Sequence, residues 1–149
     1  MNQLIFTEKF RPTKIEHLIL PSRIQSSLVK GVYNNFLLTG SAGTGKTTAA
    51  KAIVNQWNHP YLYVNVSDES SVEVLRTKIT RFCSEMDLLN DENTAKVVIL
   101  DEMDGASSQF YKAFRALSEK YHRVRFIATC NYISSIPEPV QSRFEVIDF

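Results

Sequence analysis

A three-layer α/β domain is the architecture this sequence predicts, on three observations. Apolar runs of strand length alternate with segments of helical periodicity from about residue 33 onward. The run Val97-Val98-Ile99-Leu100 is apolar throughout, as in a parallel strand covered on both faces. A glycine-rich turn, Gly40 to Thr47, falls between the first strand and the first long helix. Strands separated by helices pair in parallel through right-handed crossovers, so five strands are expected in one parallel sheet.

The elements follow in order. Residues 1–32 hold an extended segment through Pro12 and a short helix near 23–30, with Ser22 as its expected cap. Residues 33–39 read as the first strand. The helix over 46–57 sets Ala49, Ala50, Ile53, Val54 and Trp57 on one side. Residues 61–66 alternate and are rich in aromatic and β-branched side chains, which predicts a second strand. Ser70-Ser71-Val72-Glu73 fits a capping box, and the helix it opens aligns Val72, Leu75, Ile79, Phe82 and Met86. A polar loop over 87–95 leads to the third strand, 96–101. The helix over 107–121 has Phe110, Ala113, Phe114, Leu117 and Tyr121 as its core stripe. Residues 124–130 form the fourth strand, and a fifth begins at Val146.

Composition sets the bounds. With 149 residues, 44% hydrophobic and 22% charged, the chain suits one globular domain. Nine Phe, six Tyr and one Trp supply a core and exclude a disordered chain. The longest apolar runs fall far short of the ~20 residues a spanning helix needs, and Met1 to Phe6 has no signal-peptide pattern. A soluble, cytoplasmic protein with no membrane partner is expected. Seventeen basic and sixteen acidic residues leave +1 overall, yet residues 1–60 carry seven basic and two acidic side chains. Such a block points to an anionic ligand at that end. Cys83 and Cys130 lack metal-ligand spacing and are expected to be reduced and buried.

The turn carries the chemistry. Gly40-Ser41-Ala42-Gly43-Thr44-Gly45-Lys46-Thr47 fits G-x-x-x-x-G-K-[ST] at every position, with Thr48 next in the helix it opens. Glycines let the backbone curl so that successive N–H groups face phosphate oxygens. Lys46 is expected to meet the β- and γ-phosphates of ATP, Thr47 to reach Mg²⁺, and the helix start to add its positive dipole end. Downstream, the buried strand ends in Asp101-Glu102, at the sheet edge where the phosphate loop lies. Asp101 is read as the second Mg²⁺ residue and Glu102 as the group that orients and polarises a water. Asn131, after the fourth strand, could bond γ-phosphate and water. Ser142-Arg143-Phe144 precedes the last strand.

The order of phosphate loop, Asp101-Glu102, Asn131 and Ser142-Arg143-Phe144 resembles the AAA+ ATPases, P-loop NTPases. Within them, Glu8-Lys9-Phe10-Arg11-Pro12 is similar to the E-K-[YF]-R-P box of sliding-clamp-loader subunits. Asp101-Glu102-Met103-Asp104 resembles their D-E-x-D box, and Val64-Asn65-Val66-Ser67-Asp68 their N-x-S-D segment. The spacing looks most like the large ATPase subunits of T-even-type phage clamp loaders. The resemblance implies that Asn131 is the first sensor and that Arg143 is an arginine finger acting in trans. It places Arg11, Pro12, Leu18 and Ile19 around the adenine and ribose, and makes Asn65 a switch that holds Glu102 away from water. It also implies a sliding clamp, sister subunits in a ring (a pentamer in full length) and primer–template DNA as partners, with Arg76, Arg115 and Lys112 as DNA contacts. Lys112 and Arg115 lie opposite the apolar stripe of their helix, as DNA contacts require.

Two departures are visible. Phe144 stands where the family usually has Cys. The sequence stops at Phe149, and the family continues into a helical lid and a collar, so the lid is expected to be absent and isolated hydrolysis weak. Two other readings stay open: a different DNA-acting AAA+ motor (branch migration or helicase loading), and a catalytically idle nucleotide-binding assembly subunit. The 8–12 box speaks against the first; intact Lys46, Asp101 and Glu102 speak against the second.

Overall fold

A computed structural model describes residues 11–68, 72–85 and 95–149. Five strands, β1 (Phe36–Thr39), β2 (Tyr61–Asn65), β3 (Val97–Asp101), β4 (Arg125–Cys130) and β5 (Glu145–Asp148), pair in the order β2-β3-β4-β1-β5. Every pairing is parallel. The helices are α1 (Ser22–Leu28), α2 (Lys46–Gln56), α3 (Val72–Ser84), α4 (Ser108–Lys120) and α5 (Glu138–Gln141). The layered α/β architecture read from the sequence is the one observed.

Alternation along the strands divides the core in two. Phe36, Leu38, Val97, Ile99 and Ile127 face one way and bury against α1 and α2. Leu37, Val98, Leu100, Phe126 and Ala128 face the other way, against α3 and α4. Because side chains alternate with a period of two, a one-residue slip would exchange these sets. Strands β1 and β3 are buried at every position; β2, at the sheet edge, exposes Tyr61 and Tyr63.

On α4, the Ser107 side chain caps the first turn by accepting from the Phe110 N–H at 3.2 Å. Phe114 then meets Phe126 edge-on at 5.1 Å and stacks on Phe144 at 5.4 Å. Such ring pairs add about 0.5–1.5 kcal/mol beyond area burial. Phe144 thus ties the segment before β5 to α4.

Some local expectations are corrected. Ser22 is the first helical residue of α1, not its cap. Pro21 takes the cap position, and its carbonyl accepts from the Ile24 and Gln25 N–H groups. Trp57 lies just past the last turn of α2, is half exposed, and rests its indole over Gly31. Cys83 and Cys130 are buried free thiols with no disulfide, and burial pushes the Cys83 thiol up to about 11. The Glu8-Lys9-Phe10 stretch, the serines of the capping box, Met86 and most of the 87–95 loop lie outside the described residues.

Candidate nucleotide site

The site lies where the C-terminal ends of β1, β3 and β4 meet the first turn of α2. After β1 the chain curls through Gly40, Gly43 and Gly45, all at positive φ. Gly45, at φ 88°, is the residue from which α2 starts, a left-handed conformation that an L side chain resists. The loop and α2 contribute Ala42, Gly43, Gly45, Lys46, Thr47 and Thr48 to a cavity of about 250 Å³. Asp101, Glu102, Thr129 and Asn131 complete its lining from β3 and β4. That volume is below the ~300–1,000 Å³ typical of whole small-molecule sites. It suits a polyphosphate, with a base lying outside.

Lys46 is buried, and its ammonium donates to the Gly40 and Ser41 carbonyls, both at 2.7 Å, and to Thr44 Oγ1 at 3.3 Å. Burial lowers its pKa from the ordinary lysine value, while Cys130, Asp104 and Asp101 act in the opposite sense. Its charge sits inside the curl of the loop.

Asp101 is the most heavily bonded carboxylate of the site. Its Oδ1 accepts from Thr47 Oγ1 at 2.8 Å and from Thr129 Oγ1 at 2.5 Å; its Oδ2 accepts from Tyr63 Oη at 2.6 Å. The Thr47–Asp101 pair brings a hydroxyl and a carboxylate together beside the loop. That is the donor set for a Mg²⁺ ion, which binds through one or two carboxylates plus substrate phosphates. Among the described residues there is no cluster of three or more His, Cys, Asp or Glu side chains to hold a metal by itself. The residues present therefore fit a divalent ion that arrives with its nucleotide.

Glu102 leaves β3 in a left-handed conformation, φ 55° and ψ 49°. Its N–H donates to Thr129 Oγ1 at 3.0 Å, and its Oε2 accepts a hydrogen bond from the Ser67 hydroxyl. Asn65 does not make that bond. Its Oδ1 accepts from the Ser67 N–H at 3.0 Å and the Asp68 N–H at 3.2 Å, and it lies 2.8 Å from the Ser67 Oγ, whose single proton it shares with Glu102. Asn65 shapes the turn, and Ser67 carries the contact to Glu102. Gly105 packs against Ser67 so closely that a Cβ there would lie 2.9 Å from the Ser67 Cβ.

Asp104 has a part that sequence reasoning left unassigned. Its Oδ2 accepts from the Asn131 and Tyr132 N–H groups, each at 3.1 Å, and so holds the loop that carries Asn131 into the cavity. The D-E-x-D spacing was the available signal.

The remaining candidates lie apart from the cavity. Arg11 and Pro12 are half-buried, Leu18 packs partly against the α1–α2 core, and Ile19 is fully exposed. None of the four lines the phosphate cavity. The segment is tied to α2 by Ile15, whose N–H donates to Gln56 Oε1 at 2.9 Å. Arg143, just before β5, donates from Nη2 to Glu119 Oε1 at 2.6 Å, and its buried Nε has no partner among the described residues. Arg76 and Lys112 line one groove between α3 and α4, with Arg76 3.9 Å from Glu73. Arg115 is exposed on α4 but does not line that groove.

A parallel sheet ordered β2-β3-β4-β1-β5, with a glycine-rich phosphate loop after β1 and an Asp-Glu pair after β3, defines a P-loop nucleotide-binding domain. The profile of the ATPase family associated with various cellular activities (AAA) matches residues 36–149, and the chain belongs to that family. It is 36% identical over 158 aligned positions to the replication factor C small subunit of Methanoculleus marisnigri, covering 99% of this chain and 48% of that protein. It is 34% identical to the Sulfolobus acidocaldarius replication factor C small subunit, over 99% of this chain and 48% of that one. The chain therefore spans about half the length of these curated relatives. In fold it is similar to the Thermotoga maritima RuvB Holliday junction branch migration motor, with a TM-score of 0.71 at 16% identity over 93% of this chain and 48% of that one. No helix among the described residues is long and apolar enough to cross a membrane.

Proposed function

We propose that this chain is the ATPase core of a sliding-clamp-loader subunit, which binds ATP with Mg²⁺ and hydrolyses it to govern loading of a clamp on primer–template DNA. The observation that carries the reading is the convergence of Lys46, Thr47, Asp101, Glu102 and Asn131 on one phosphate-sized cavity. The 8–12 box and the identity to replication factor C small subunits support clamp loading. The likeness to RuvB is one of fold and gives no weight to branch migration.

Each residue has a task in this reading. The loop N–H groups and the α2 N-terminus receive the phosphates. Lys46 exchanges its carbonyl contacts for β- and γ-phosphate oxygens. Thr47 and Asp101 hold the Mg²⁺, which when bound neutralises phosphate charge. Glu102 orients the attacking water and accepts its proton as the β–γ bridging bond breaks, and Asn131 fixes the water and the γ-phosphate. Arg143 reaches the ATP of a neighbouring subunit in a ring, pentameric in full length. Its Nε, unpartnered among the described residues, and its tie to Glu119 describe a guanidinium held, but not satisfied, by its own chain. Arg11, Pro12, Leu18 and Ile19 border the adenine, outside the phosphate cavity. The groove containing Arg76 and Lys112 takes DNA phosphates, with Arg115 beside it.

The test uses the full-length protein in its assembly. ATP hydrolysis should rise on adding clamp and primer–template DNA, and Glu102→Gln should abolish that rise while nucleotide still binds. Hydrolysis indifferent to the clamp would sink the clamp-loader reading; hydrolysis indifferent to Glu102→Gln would sink the catalytic assignment.

A further inference from the structure

We propose that Tyr63 is a positioning residue for the Mg²⁺-binding carboxylate, fixing the plane of Asp101 so that its Oδ1 faces the phosphate loop. The inference rests on the nucleotide–Mg²⁺ reading above and adds a residue to it.

The argument begins with register. β2 pairs with β3 so that Tyr63 lies opposite Ile99 and Asn65 opposite Asp101. Tyr63 and Asn65, two apart, therefore share with Asp101 the sheet face that α2 covers. From there the phenol reaches Asp101 Oδ2 at 2.6 Å, while Oδ1 is occupied by Thr47 and Thr129. The two oxygens are thus divided between two sides. Two hydroxyls on Oδ1 hold one end of the carboxylate, whose Cβ–Cγ torsion has a broad energy profile. A third bond, on Oδ2 and from the neighbouring strand, holds the other end and narrows that torsion.

The tyrosine is itself braced. The Lys51 ammonium of α2 lies 4.4 Å from its ring centroid, a cation–π distance. The phenol is a hydroxyl donor across the neutral range, as tyrosine ordinarily is. A merely structural edge-strand tyrosine needs only its ring; here the hydroxyl is spent on the carboxylate. Partners that orient a metal-binding group contribute to metal affinity although they never touch the ion.

Mn²⁺ binding in the presence of ADP, followed by electron paramagnetic resonance on this chain, tests the proposal beside ADP affinity measured in EDTA. Tyr63→Phe keeps the ring and removes the hydroxyl. It should weaken ADP-dependent Mn²⁺ binding about tenfold, in the range for outer-shell partners, and leave ADP affinity in EDTA unchanged. Thr47→Ala serves as the positive control. Mn²⁺ affinity unchanged in Tyr63→Phe while Thr47→Ala loses it overturns the proposal. So does an equal loss of ADP affinity in EDTA, which marks a structural role. If the unsubstituted chain shows no ADP-dependent Mn²⁺ site, the nucleotide–metal reading fails first and takes this proposal with it.

Discussion

Glu102 occupies the most demanding backbone position among the site's side chains. A non-glycine residue at φ 55° is held in a conformation that costs roughly 1–2 kcal/mol, and here it coincides with the carboxylate proposed to polarise water. Glu102→Gly and Glu102→Ala both lose the Ser67 bond, and only alanine keeps the left-handed strain, so the glycine variant should be the more stable of the two by about 1 kcal/mol in urea unfolding. Both should lose hydrolysis. A glycine variant no more stable than the alanine one would show that the turn is not strained. At this scale the sequence was partly legible. The loop, Asp101 and Glu102 are contiguous motifs whose spacing is dictated by phosphate geometry. The Ser67–Glu102 and Tyr63–Asp101 bonds depend on how β2 registers against β3, and Asp104 reaches Asn131 across 27 positions. Pairing of that kind leaves no local pattern.

Among the elements, α4 does the most. It is capped by Ser107, packs Phe114 between Phe126 and Phe144, and holds Arg143 through Glu119. Ser107→Ala should cost about 1 kcal/mol, the usual worth of a side-chain cap. Phe114→Ala should cost about 3–5 kcal/mol, as for a large buried aromatic. Chemical denaturation would check both; a Phe114→Ala loss no larger than that of Ser107→Ala would refute the central place given to the ring stack. Helical periodicity located α2 and α4 well, because each buries one continuous face. It misplaced Trp57, since periodicity counts apolar residues without registering that the helix has already ended. It also misjudged Ser22, one position beyond the proline that caps α1.

For the whole molecule, a net charge of +1 conceals where charge is used. The α3–α4 groove presents Arg76 and Lys112 on one flank of the domain, at a distance from the phosphate cavity in sequence and in lining. Binding of primer–template DNA by the full assembly should be salt-dependent and indifferent to base sequence. Replacing Arg76 by Ala should lower the slope of log affinity against log salt by roughly 0.9 for each DNA phosphate the arginine neutralises. An unchanged slope would remove Arg76 from the interface.

The sheet also has two edges, and both reach the site. At one, β2 and the turn after it send Tyr63 and Ser67 to the two carboxylates. At the other, β5 is followed by Phe149, whose N–H donates to the Thr39 carbonyl at 2.7 Å and whose own carbonyl would lie 2.8 Å from a Cβ placed on Gly40. The first residue of the phosphate loop therefore has no slack against the last strand. A change in the coiling of the sheet moves loop and carboxylates relative to each other, so the span of the proposed triphosphate site is a property of all five strands together.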